Sequence, residues 1–115
     1  MRIEIITEPI TRAKAKEIAK EIYGDMVKGV MDIERGIIAL GGEYHMDANM
    51  TLVENGSRQE NIWGFNLHTA KLREEWLEFT SLINIRPTQH NRGMLIENKE
   101  LQEKMRTIIN EKILQ

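Results

Sequence analysis

Met26-Val27-Lys28-Gly29-Val30-Met31-Asp32-Ile33-Glu34-Arg35-Gly36-Ile37-Ile38-Ala39-Leu40 is the stretch whose reading decides the fold class. It lacks proline and admits two readings, a helix or a β-hairpin. The hairpin fits better. Val27, Gly29, Met31 and Ile33 alternate with Lys28, Val30, Asp32 and Glu34, as strand residues do. Arg35-Gly36 supplies the turn, Ile37–Leu40 the return strand, and Gly41-Gly42 its end. Glycines also weigh against a helix, where each costs about 1 kcal/mol relative to alanine.

Upstream, Arg2–Ile6 reads as a short strand, with Ile3 and Ile5 opposite Glu4 and Ile6. Glu8-Pro9 interrupts it, and Thr11 follows as an N-cap with Ile10 and Ala15 placed as a hydrophobic staple. Ala15, Ile18, Ala19 and Ile22 recur at helical spacing, and Gly24 suits the left-handed residue that closes a helix. Downstream, Tyr44–Val53 alternates. Tyr44, Met46, Ala48, Met50 and Leu52 face one way and His45, Asp47, Asn49 and Thr51 the other, which predicts another strand. Asn55-Gly56-Ser57 is a turn, and Asn61–His68 a strand with Trp63, Phe65 and Leu67 on its apolar face and Gly64 as a bulge or close contact. Thr69–Glu75 is a polar connection, and Trp76–Arg86 the last strand, stopped by Pro87. Asn98 caps a final helix to about Leu114, striped by Leu101, Met105, Ile108, Ile109 and Ile113. The order predicts a single α+β domain over residues 1–115, a mainly antiparallel sheet of five or six strands packed against two helices.

The 115 residues are enough for one core, and 41% apolar with 30% charged residues is a globular balance. A net charge of −2 supplies no field that would draw the chain onto nucleic acid or an anionic membrane, so neither is an expected partner. Having no cysteine removes disulfides, thiolate nucleophiles and Cys-based zinc sites, and fits a cytoplasmic location. The first residues are too charged for a signal peptide, and no apolar run approaches the roughly 20 residues of a membrane span.

Three segments in combination carry a resemblance: Gly24-Asp25-Met26-Val27-Lys28 with Asp32-Ile33-Glu34; Gly41-Gly42-Glu43-Tyr44-His45-Met46-Asp47-Ala48; and Trp63-Gly64-Phe65-Asn66 with Ile83-Asn84-Ile85-Arg86-Pro87-Thr88-Gln89. Over about Arg12–Arg92 the chain resembles a small prokaryotic family catalogued only as a domain of unknown function. The resemblance implies a stand-alone domain from a bacterium or archaeon. It transfers no activity, cofactor, partner or functional residue, so the candidate sites rest on chemistry.

Two polar surfaces stand out. The first is Asn84, Arg86, Gln89, Asn91 and Arg92, on a loop at a strand end. Two planar guanidinium forks with neutral amides around them suit an anionic small molecule, and Arg58 and Gln59 join if the loops share one sheet end. The plainer reading is that Asn84 orders the loop and Arg86 pairs with an acidic neighbour such as Asp47 or Glu34. The second surface is Glu43, His45 and Asp47, which on a strand project from one face about 7 Å apart. With Asp32 or Glu34 assisting, they would hold a divalent metal for hydrolysis. The plainer reading is the solvated face of an antiparallel sheet.

Other features are quieter. His68 and His90 titrate in the right range for acid–base work, yet neither has a visible nucleophile beside it. Ser57 and Ser81 lack a nucleophile-elbow motif. Trp63, Phe65 and Trp76 suit a core, as do the seven methionines, although exposed Met46 and Met50 would mark a protein interface. The leading expectation is a binding domain for an anionic small molecule, the first alternative a metal-dependent hydrolase, the second a structural or protein-interaction module. Whether the protein is an enzyme stays open. A homo-oligomer is expected, because two helices leave one sheet face and two edges uncovered.

Overall fold

The hairpin forms at the centre of the sheet. In the computed structural model, which describes residues 2–115, β3 (Met26–Asp32) and β4 (Ile37–Gly41) pair antiparallel, and Gly36 takes the left-handed turn at φ 68°. Asp32 fixes the turn, its buried Oδ1 accepting from the amides of Glu34 (2.9 Å) and Arg35 (3.0 Å).

Flanking strands extend this pair. β1 (Ile3–Ile6) lies along β4, and β5 (Ile62–His68) runs the length of β3 with Lys28 opposite Asn66 and Val30 opposite Gly64. β6 (Leu77–Glu78) closes the order β1-β4-β3-β5-β6, antiparallel throughout. A separate two-residue parallel pair joins β2 (Ile10–Thr11) to the C-terminal β7 (Ile113–Leu114).

One face of the sheet carries the larger core. Val27, Met31, Phe65 and Leu67 meet Ala15 and Ile18 of α1 (Arg12–Ala19) and Met105, Ile108 and Ile109 of α3 (Lys99–Lys112). Both helix starts are as the sequence indicates: Thr11 accepts from the amide of Lys14 and Asn98 from that of Leu101.

The other face is not left open, which corrects the expectation of two helices. Residues 44–53 are not a strand; His45–Glu54 forms a third helix, α2. Positive φ at Gly41 (118°) and Gly42 (89°) turns the chain out of β4. Asp47 then accepts from the Tyr44 amide (3.2 Å), and its charge suits the first turn of a helix. His45, Ala48, Asn49 and Leu52 are the buried positions, at i, i+3, i+4 and i+7. Ala48 and Leu52 rest on Val30, Ile37, Ala39 and Ile62, a second core across the sheet from the first.

The Trp76–Arg86 strand is also corrected. Only Leu77–Glu78 pairs as β6; Leu82–Asn84 and Pro87–Gln89 are single 3₁₀ turns. Ser81 starts the first of these, its hydroxyl accepting from the Ile83 amide. Phe79–Ser81 instead hydrogen-bonds to Met94–Ile96, drawing the loop back across the second face beside α2. Among the described residues no helix is long and apolar enough to cross a membrane.

Candidate functional site

Asn84 sits where β6 has stopped short and the edge of β5 is bare. Its side-chain amide accepts from Gly64 N (2.8 Å) and donates to Gly64 O (3.0 Å), replacing a strand's two ladder bonds. Arg86 continues the seal along β5, donating to the carbonyls of Ile62, Gln59 (3.1 Å) and Ile83 (3.0 Å) and to Gln89 Oε1 (3.1 Å), with its guanidinium 4.3 Å from the centre of the Trp63 ring. Gln89 in turn donates to Glu60 O, and Asn91 to the carbonyls of Asn84, Gly93 and Leu95. Backbone bonds between Arg86 and Asn91 close the loop, and His90 takes the left-handed conformation (φ 63°) needed to turn it. Arg58 and Gln59 do lie at this sheet end, but Gln59 pairs reciprocally with buried Asn49 and Arg58 with exposed Glu60.

The donors expected to meet an anion are therefore committed to the protein's own carbonyls, and Asn84 and Asn91 are buried. Arg92 is exposed and stands apart from this network. Burial also holds the Arg86 guanidinium below its ordinary pKa, only partly offset by Glu60.

Glu43, His45 and Asp47 do not share a face either. With a helix in place of a strand, alternate residues diverge around its start. Glu43 precedes the helix and is exposed, Asp47 caps it, and His45 turns inward. Asp32 holds its own turn and Glu34 accepts from Asn61 Nδ2 (2.7 Å). Among the described residues no group of three His, Asp or Glu side chains could hold a metal ion.

What the fold does assemble is a groove of about 490 Å³ on the second sheet face. Its walls are Tyr44 and Met46 at the start of α2 on one side and Leu82, Ile83 and Met94 of the 80–94 loop on the other. Gly64 allows those walls to close: a β-carbon there would lie 2.6 Å from Ser81 Cβ, so any larger residue would push the loop off the sheet. Leu82, Tyr44 and Met46 remain 71%, 61% and 50% exposed, an unusual amount of apolar side chain around one opening. The floor is polar. Lys28 and Asn66, cross-strand partners on β3 and β5, line it together with His45, the first residue of α2.

His45 is held by Phe65 O, 2.8 Å from Nε2. A carbonyl accepts only, so Nε2 carries the proton and Nδ1 of the neutral ring is an acceptor. Burial lowers the ring's pKa and Lys28 adds to that, against the Phe65 carbonyl, Asn66 and Glu78. Asn66 donates from Nδ2 to Glu78 Oε1 (3.1 Å) and Thr80 O (3.3 Å), while its buried Oδ1 has no partner. Lys28 extends its ammonium over Tyr23 and Tyr44, 5.3 and 5.7 Å from the ring centres. Glu78 accepts from His68 (2.9 Å), whose hydrogen bond holds the Glu78 carboxyl below the usual range.

Sequence reasoning named His45 for another purpose and missed Lys28, Asn66 and Leu82. Lys28 and Asn66 lie far apart in sequence, and only strand register joins them. The one available signal was Met46 and Met50, which are exposed as an interface would require. No curated protein and no solved structure matches the chain. A family model described as a protein of unknown function, DUF5674, matches residues 4–112. Spanning almost the whole sheet, all three helices and the groove, that match places the chain in the DUF5674 family.

Proposed function

We propose that the protein is a small binding domain whose site is the groove between α2 and the 80–94 loop, and that it takes a small molecule with an apolar body. One observation carries this reading: exposed Tyr44, Met46, Leu82 and Met94 surround a cavity of about 490 Å³ with a polar floor. Apolar walls with a few convergent polar groups at this volume are the usual makeup of a ligand site. Flexible methionine side chains adapt to the shape of an apolar guest. A fragment screen by NMR tests it. Binders are expected to move the amide signals of Tyr44, Met46, Leu82 and Met94, and Leu82→Asp is expected to abolish binding while changing stability by less than about 0.5 kcal/mol. Binders that cluster at the Arg86–Arg92 loop instead would sink the groove reading.

A second reading, an interaction module, is favoured by a separate observation. Met50 on α2, and Ile85 and Leu95 on or beside the 80–94 loop, are exposed apolar side chains as well. Sedimentation over a wide concentration range separates the two. Self-association lost in Met50→Asp but kept in Leu82→Asp would place an interface between copies on that outer surface.

A further inference from the structure

An open sheet has two edges, and this chain treats them differently. At one end Asn84 and Arg86 hydrogen-bond along β5 where β6 stops short. At the other end β1 pairs with β4 alone. Which groups of β1 point outward follows from register, because the hydrogen-bonding side alternates along a strand. Ile33 donates its amide to Asn61 O, just before β5, so Asp32 and Val30 face β4 instead. Their partners Ile37 and Ala39 face back, which leaves Ile38 and Leu40 to bond Ile6 and Glu4. The N–H and C=O of Ile3 and Ile5 therefore point away from the sheet, and among the described residues none bonds to them there. A cleft of about 200 Å³ follows this edge. It touches Glu4, Ile5, Ile6, Thr7 and Glu8 in succession, whereas a cleft on one face would meet alternate residues.

An extended segment fits such an edge by adding a strand to the sheet. We infer that the segment is β1 of a second copy, paired antiparallel about a two-fold axis at Ile5. Charge selects this occupant and this register. Centring on Glu4 would set two carboxylates opposite each other, and centring on Ile6 would oppose Glu4 to Glu8. Centring on Ile3 would leave Ile6–Glu8, the part of the edge that the cleft follows, without a partner. Centring on Ile5 opposes Arg2 to Glu8 twice, and the two Ile5 residues exchange both backbone bonds. The shared ladder is short, since Thr7 O already accepts from Lys112 Nζ (2.9 Å), and a short ladder suits a reversible dimer. This interface does not depend on the groove.

The test is sedimentation equilibrium together with amide hydrogen exchange by NMR, on the full chain from about 10 μM to 1 mM. A concentration-dependent dimer is expected, with the Ile3 and Ile5 amides exchanging several-fold more slowly at the top of the range than at the bottom. Glu8→Arg, which opposes two cations at each end of the ladder, is expected to weaken the dimer about ten-fold. Ile5→Pro removes the outward N–H and is expected to leave the chain monomeric. Should that variant fold poorly, Glu8→Arg decides, because Glu8 is exposed and lies past the end of β1. A monomer across the whole range would overturn the inference, even if an unrelated extended peptide protected the same amides. A dimer lost in Met50→Asp but unmoved by Glu8→Arg, with Ile3 and Ile5 exchanging equally at both concentrations, would overturn it as well and move the interface to α2.

Discussion

Asn84 completes the sheet with a side chain where the backbone stops short. It makes both of its Gly64 bonds at 0% exposure and also donates to Met94 O. Asn84→Ala would leave Gly64 N and O buried without partners, and we expect a loss of about 3 kcal/mol in urea denaturation. Arg92→Ala, a few residues away on the surface, should change stability by no more than about 0.5 kcal/mol. Equal costs for the two would contradict the bracing role. His45 gives a pH signature. Its folded pKa is lowered by burial, so the unfolded chain takes up the proton first as pH falls. Stability is complete above the ordinary histidine value of 6.5 and is lost as pH drops from there through the folded value. The urea midpoint of the wild type should fall across that window, and His45→Gln should flatten it. Composition identified both residues as polar and notable. Their inward orientation was not legible, because it depends on which segment covers the second sheet face.

At the scale of elements, α2 shows how a pattern can mislead. The segment His45–Glu54 alternates apolar and polar residues well enough for a strand, yet it also holds buried positions at helical spacing. Two left-handed glycines and the Asp47 cap tip it to a helix. Asp47→Ala should therefore cost about 1 kcal/mol and leave the helical circular dichroism signal slightly reduced. A gain in stability would contradict the capping role of Asp47. The hairpin, α1, β5 and α3 were legible because caps, turn glycines and periodicity agree within each segment. The 79–96 loop was not. Its pairing of Phe79–Ser81 with Met94–Ile96 brings together residues fifteen apart, with two 3₁₀ turns between.

For the whole molecule, the C-terminal strand is tied to the strand that leads into α1. Ile113 is fully buried, β7 pairs with β2, and Arg12 and Arg73 flank Trp76 at 4.2 and 4.9 Å beside the C-terminal strand. Arg73 also donates to the carbonyls of Asn110 and Ile113. Removing Ile113–Gln115 should cost about 2–5 kcal/mol and lower the melting temperature while leaving a single cooperative transition. Two transitions would show that the C-terminal helix is a separate unit. By itself the sequence determined the fold class, the central hairpin, two of the three helices and the helix caps, because each rests on local spacing and local hydrogen bonds. Only the tertiary structure decided the role of the polar residues. Whether Asn84 and Arg86 face a ligand or a bare strand edge depends on where β6 ends. Whether Lys28, His45 and Asn66 share one groove depends on strand register and on a helix crossing the face above them. Both are long-range facts, fixed by packing across the sheet.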